Sequence, residues 1–491
     1  MIRGRRLGVL ALGAGLILLA GCSHAVFPTS GGGGGSSTSP VILTMHDTPP
    51  TVPSGVTLVS FEVTITGAEL EPNNVSLLST PQTVELTQLQ TNSEFLSSTK
   101  VATGTYTSLK LTYANPQYTF VNNSGGSVTV AGQNCAANAA CVVTNPTTAN
   151  LTATTTFTSS VVISQSTNTL IEADVNLNDI IQTDFSLDFS KSVAATVSQS
   201  SSTSVSLGTM GLAGQVSSVN SGSNQFQLAA TTGQTYTIQA ESGTNFEFAR
   251  ANCTNNNFTC IATGQVVDVA VNIMADGTFQ ATELDYDDAA NTQQVSGMIV
   301  AQNGTPPTSV TLVVHNAIPP VSGLAIGTPL TVTISNTAGF FVNNGAFILP
   351  AGLSFASTSD VLIGQEVEAR VAAGSSIANA AFTTDRLALE QTQMEAQLSQ
   401  VFPQNQPFPY FILKSPPLIS SAPVNASAQL QIDDTSSNQP NGTVYQNLTP
   451  ANIGSLSNMI GQDVTVGGFM FNTPASPTIV AVVVRGEVSG T

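Results

Sequence analysis

The sequence predicts an all-β chain in which one N-terminal β-sandwich is followed by about three copies of a smaller β unit. Three observations carry that prediction. Apolar residues alternate with polar ones at period two along the hydrophobic segments, a Gly-Gln signature recurs three times in the second half, and helical periodicity is scarce.

The first element in chain order stands outside that fold. Arg3, Arg5 and Arg6 precede an apolar run of fourteen residues, Leu7 to Ala20, and small residues lead up to Cys22. This is the anatomy of a secretory signal, expected over residues 1–21. The run is shorter than the roughly 20 apolar residues of a transmembrane helix. Leu19-Ala20-Gly21-Cys22 resembles the lipobox of bacterial lipoproteins. The resemblance implies cleavage before Cys22, acylation of its thiol, and a chain held on the membrane by lipid, each buried methylene contributing about 0.8 kcal/mol. Ser23 and His24 follow with no Asp in the next position, which by the same resemblance implies sorting to the outer membrane of a Gram-negative bacterium. Ser23 to Ser39 contains five consecutive glycines and reads as a tether (residues 22–40 with the lipidated cysteine). As a flexible coil it reaches roughly 23 Å. Gly31 to Gly35 do not form a phosphate cradle, because no Gly-Lys-Ser/Thr follows.

Composition narrows the function classes. Without the three signal arginines the chain keeps 8 basic residues against 29 acidic ones, a formal net charge of −21. Nucleic acid is therefore excluded as a partner, since phosphate contacts need clustered Lys and Arg. Charged residues make up only 8% of the chain while 41% is apolar, so the polarity comes from neutral side chains and the cores are well supplied.

Five cysteines divide into Cys22 for lipid and four others, which allow three pairings. Cys135 with Cys141 and Cys253 with Cys260 each sit in one polar, Asn-containing loop and in different domains, so two local bridges are expected in an oxidising envelope. Each would close a small loop, worth on the order of 2 kcal/mol. Neither pair has the C-x-x-C spacing of redox catalysis.

The sandwich is expected over residues 41–208. Val59, Phe61, Val63 and Ile65 alternate with Ser60, Glu62 and Thr64, and Ile171, Ala173 and Val175 alternate with Glu172 and Asp174. His46-Asp47-Thr48-Pro49, SFEVTITGAEL, TVELTQLQ, GTYTSLKLTY and LIEADVNLNDIIQTDFSLDFSKSV occur in this order. The series resembles an N-terminal domain family of bacterial lipoproteins with no assigned activity. The Asn- and Thr-rich stretch from Asn122 to Thr158 reads as an insert into that pattern.

Beyond it, GQVVDVAV at Gly264, GQEVEARV at Gly364 and GQDVTVGG at Gly461 recur at intervals of 100 and 97 residues. Each copy opens on a strand at Gly214, Ser296 or Ala396 and ends on ATELDY, FTTDRLAL or TIVAVVV. The units are expected over 211–290, 294–390 and 391–491. They resemble a second bacterial family of unassigned function, which implies small, partly open β-barrels of the oligomer-binding type. Each Gly of Gly-Gln enters a strand from a turn, where positive φ is cheapest as glycine. Helices are expected only around Thr392 to Val401 and Ala451 to Ile460.

Candidate sites are few. Of three histidines, His24 lies in the tether, and His46 and His315 fall in different domains with no catalytic or zinc motif around either. His46 beside Asp47 reads as a strand-end pair. Asp285, Asp287 and Asp288 are the densest carboxylates and a weak calcium candidate, with a solvated strand-end loop the better reading because the EF-type pattern is absent. FPQNQPFPYFILKSPP from Phe402 to Pro417 reads as a sheet edge protected by prolines, or else as a sticky aromatic ridge. The absence of Trp weakens a sugar-stacking platform. No catalytic residue, cofactor or metal is expected. The sequence thus predicts a non-catalytic binding or scaffolding module whose partners are the membrane, through acylated Cys22, and a glycan, envelope polymer or protein. The alternative is a hydrolytic or carbohydrate-processing accessory whose carboxylates meet only in the fold.

Overall fold

The computed structural model describes residues 37–486, except 49–54, 92, 166, 203–204, 231–232, 249–250, 252, 254, 290–291, 346, 406–407, 415–428, 436–441, 447 and 474–476. The signal, Cys22, His24 and the tether up to residue 36 lie outside the described residues. The protein is almost entirely β.

The first domain contains β1 (Thr38–Thr48), β2 (Val56–Glu71), β3 (Val75–Ser76), β4 (Gln82–Glu85), β5 (Glu94–Ala102), β6 (Gly104–Asn122), β7 (Val128–Val130), β8 (Gln133–Cys135), β9 (Ala140–Val143), β10 (Thr152–Ile163), β11 (Asn168–Asn176) and β12 (Val193–Ser200). One sheet runs β12-β11-β1-β5 and the other β10-β6-β2-β3, with β4 also on β2 and β9 also on β6. Alternation puts Leu43, Met45, Ile171, Ala173 and Val175 of one sheet against Phe61, Val63 and Ile65 of the other in a shared core. Thr38, Ser39 and Pro40, expected in the tether, belong to β1 instead. Thr38 already pairs with Ala102, and the Ser39 hydroxyl donates to the Thr167 carbonyl, so these small polar residues are held by a partner strand. The stretch after Asn122 folds into the β7–β8 hairpin and then β9, which adds to the sheet beside β6. The Cys135–Cys141 disulfide ties β8 to β9.

Three five-stranded rings follow. The first holds β13 (Ser206–Asn220), β14 (Gln225–Ala230), β15 (Thr235–Glu247), β16 (Val266–Met274) and β17 (Phe279–Asp288). The second holds β18 (Gln294–Gly304), β19 (Pro307–Ile318), β20 (Pro329–Val342), β21 (Glu366–Val371) and β22 (Ala381–Leu389). The third holds β23 (Thr392–Phe402), β24 (Tyr410–Lys414), β25 (Gln429–Asp433), β27 (Asp463–Asn472) and β28 (Pro477–Gly486), with β26 (Val444–Gln446) added outside β28. In each, the first strand pairs with the second and fourth, and the third pairs with the fifth in parallel.

That parallel pairing brings each of the small expected β-barrels round on itself. Ile238 faces Phe279, Val332 faces Phe382 and Ile432 faces Ile479, so all three rings close. In the first two, register shifts after Ala240 and Ile334 let a long third strand bend around to meet the fifth.

The repeated Gly-Gln has a common geometry. Gly264, Gly364 and Gly461 have φ of 91°, 93° and 90°. Their amides donate to Val216, Ile299 and Leu398 carbonyls at 2.7, 2.8 and 2.8 Å, and the following glutamine carbonyls accept from the same three residues. Each pair is thus the first rung joining fourth strand to first. A side chain on that left-handed backbone would be strained. In the first two copies the glutamine side chain also caps the short 3-10 turn before it. Gln265 accepts from Ala262 and donates to the Cys260 carbonyl, and Gln365 does the same for Leu362 and Asp360. The Cys253–Cys260 disulfide ends in the first of these turns.

The segment Thr392 to Val401 is a strand rather than the expected helix. Gln, Met, Glu, Ala and Leu favour helices, but Thr392, Met394, Ala396 and Leu398 are buried at period two and pairing with β24 and β27 decides. The other expected helix is a 3-10 helix, Ile453–Met459.

The four domains pack on one another. Ile42, Phe95 and Leu170 of the sandwich enter the first ring's core, where Phe95 meets Tyr236 and Phe279 edge-on at 5.4 and 4.9 Å. Val59 and Val121 meet Val300 and Val313 of the second ring. Gln393 of the third ring accepts from the Thr91 amide and donates to the Gln88 carbonyl, both at 2.9 Å. Gln365 of the second ring donates to the Met470 carbonyl of the third.

Candidate functional site

The parallel pair β1 and β11 builds the most distinctive polar site. Because side chains alternate, Ile42, Thr44 and His46 share the outer face with Leu170, Glu172 and Asp174. The face changes character along its length. Ile42 and Leu170 are buried in the first ring's core, whereas Thr44 faces Glu172 and His46 faces Asp174 further on, towards the third ring.

Where the sandwich, first ring and third ring meet, a cleft of about 640 Å³ remains. Thr44, Ser93, Leu170 and Glu172 line its sandwich side, Met210, Gly211 and Ile273 the first ring, and Gln446, Val483 and Arg485 the third. Its size suits a small ligand, and its mixture of apolar wall and a few polar groups is that of a recognition site. Gly211 helps keep it open, since a Cβ there would meet no atom within 4 Å.

His46 organises the charges at its edge. The ring Nε2 lies 3.3 Å from Glu172 and Nδ1 lies 3.2 Å from Asp174. The two Nη atoms of Arg485 sit 3.5 Å from Nδ1 and 3.4 Å from Nε2, one beside each ring nitrogen. Burial, and then the Arg485 cation, push the His46 pKa down to about 3, so the imidazole is neutral. A neutral ring donates to one carboxylate and offers its lone pair to Arg485. Asp174 also accepts from Thr48 at 3.0 Å, while among the described residues Glu172 has only Ser93 at 3.4 Å besides the ring. Arg370 and Arg386 are both ion-paired; Arg485 makes no ion pair with any described carboxylate, and its Nε is buried with no hydrogen-bond partner among the described residues.

The other sequence candidates lie elsewhere. Asp287 and Asp288 are buried at the end of β17, not in a solvated loop, and they face cations rather than a calcium site. Arg386 reaches Asp287 at 3.2 Å, Asp288 at 2.8 Å and Glu368 at 2.8 Å, and Arg370 reaches Asp288 at 3.6 Å. The correction could not come from local spacing, because the arginines belong to the next ring. Asp285 has acidic neighbours rather than a cation. Burial, then Glu283, Asp268 and Glu247, raise its pKa to about 8. Among the described residues no group of three or more acidic, His or Cys side chains is arranged to hold a metal.

His315 is buried between the sandwich and the second ring. Its Nδ1 lies 2.9 Å from Glu366 and its Nε2 2.5 Å from the Val59 carbonyl. Burial opposes its charge, but Glu366, Glu85 and that carbonyl together raise the pKa to about 9. In the aromatic segment, β24 is paired on both sides and is not a sheet edge; Phe402 and Tyr410 stack on each other at 4.6 Å.

Sequence reading missed the cleft. It noted the alternation of Glu172 and Asp174 but read His46 with its chain neighbour Asp47, whereas its partner Arg485 is 439 residues away. Compared with family models, curated proteins and solved structures, the chain matches none.

Proposed function

We propose that the protein is a non-catalytic binding module of the bacterial cell envelope, lipid-anchored through Cys22 at the outer membrane, whose ligand enters the cleft between the sandwich and the first and third rings. The cleft carries this reading: three domains packed through buried contacts hold its walls, and a few polar groups converge on it. Hydrolysis by paired carboxylates would need two carboxyl groups facing each other about 5 to 10 Å apart across a cleft. Glu172 is the one carboxylate lining the cleft, and Asp174 is turned onto His46 and Thr48.

Two measurements test the reading. Intact-mass spectrometry of membrane fractions should find a mature chain starting at acylated Cys22, and Cys22→Ser should release it from the outer-membrane fraction; a soluble wild-type chain would overturn the anchor. Defined glycans, envelope polymers and small metabolites should include a binder that is lost when Gly211→Phe fills the cleft. Binding that survives that change would move the site elsewhere.

A further inference from the structure

We propose that the cleft recognises an α-amino-acid head group, its carboxylate held by Arg485 and its ammonium by Glu172. This rests on the binding reading above and adds the ligand's chemistry.

The lining is zwitterionic. Arg485 brings a guanidinium with no described carboxylate in ion-pair contact, in a chain where 29 acidic residues compete for 11 basic ones. An arginine set at a cleft wall with spare donors is the side chain best matched to a carboxylate, which it binds through two parallel N–H bonds. Glu172 is the complementary end. It lines the same cleft, and its contacts are His46 at 3.3 Å and Ser93 at 3.4 Å.

The two ends are held at a fixed spacing. Glu172 and one Nη of Arg485 both sit on His46 Nε2, which keeps them within about 7 Å of each other, yet they form no ion pair. Two charge-assisted hydrogen bonds of about 2.8 Å, bent at the ligand atoms, let an ammonium and a carboxylate on one carbon span that separation. A lone carboxylate or a lone amine would satisfy only half of it. His46 is a positioning residue here, since the neutral ring orients both charges without adding one. Leu170, Met210, Ile273 and Val483 form the apolar wall, which suits an aliphatic ligand side chain.

Calorimetric titration of the full chain with L-leucine, acetate, methylamine and a neutral hexose tests this. Leucine is expected to bind at least tenfold more tightly than acetate or methylamine. Arg485→Gln should weaken leucine binding at least tenfold, and Glu172→Gln should weaken leucine while leaving acetate unchanged. Both substitutions lie at the cleft wall, and unchanged melting temperatures would confirm that the variants fold. Leucine binding that is indifferent to both changes, or no tighter than acetate, overturns the proposal. A hexose that binds and is excluded by Gly211→Phe, with no leucine binding, overturns the amino-acid assignment and leaves the binding reading intact. If no probe binds and Gly211→Phe alters nothing, both fall.

Discussion

His315 and His46 are the two described histidines, both on strands and both turned from their own domain onto a neighbour, yet they end in opposite states. His315 faces Glu366 and the Val59 carbonyl in a buried interface and carries a proton up to about pH 9. His46 faces two carboxylates but also Arg485, and burial with that cation keeps it neutral down to about pH 3. Burial disfavours the charge on both rings; at His315 the carboxylates overcome it, and at His46 the Arg485 cation adds to it. With no arginine nearby, the histidine itself supplies the charge and seals the joint; beside an arginine it surrenders the charge, and the joint stays half open.

The largest break in this comparison is His315→Ala, which strands Glu366 in the interface. It should lower stability by about 3–5 kcal/mol, read by urea denaturation. A loss under 1 kcal/mol would mean that Glu366 is uncharged there without its partner.

Next is the pH profile. The His315 pKa is raised in the folded state, so its contribution is complete below about 6.5 and is lost as pH rises through about 9. The His46 pKa is depressed, so its contribution is complete above about 6.5 and is lost as pH falls towards about 3. Melting temperature should therefore peak near neutrality. His315→Gln should flatten the alkaline limb and His46→Gln the acid limb; if each variant flattened the other limb, the assignment would be reversed.

A smaller loss of about 1–2 kcal/mol is expected from His46→Ala, which removes partly buried hydrogen bonds but leaves Arg485 near the carboxylates. Smallest of all is Arg485→Gln, expected to change stability by less than about 1 kcal/mol because the side chain is partly exposed and makes no ion pair with a described carboxylate. A large loss there would assign Arg485 to the joint rather than to a ligand.

Much of the fold is legible because strands announce themselves locally. Period two marks Ile171 to Val175, and Gly264, Gly364 and Gly461 recur at the same turn, just ahead of the fourth strand of each ring. Ring closure is not legible, because Ile432 meets Ile479 across a long connection that no local pattern announces. The strand at Thr392 was obscured by residues that favour helix, although its buried positions alternate. The charged joints are the least legible part. Asp287 finds Arg386 across 99 residues, and nothing in LDYDDAANT distinguishes a paired carboxylate from a hydrated one. Asn257, Ser357 and Asn452, which cap the 3-10 turn in each ring, were a repeated signal available in the sequence.

The position of β1 has a mechanical consequence. It is the first described strand, and it lies inside its sheet with β5 antiparallel on one side and β11 parallel on the other. A pull on the chain ahead of Thr38 would act along the strand axis and load both hydrogen-bond ladders in shear, sharing the force among many bonds instead of peeling them singly. His46 lies near the far end of the same strand, so a load applied at Thr38 would be resisted by the ladders before it reached the cleft.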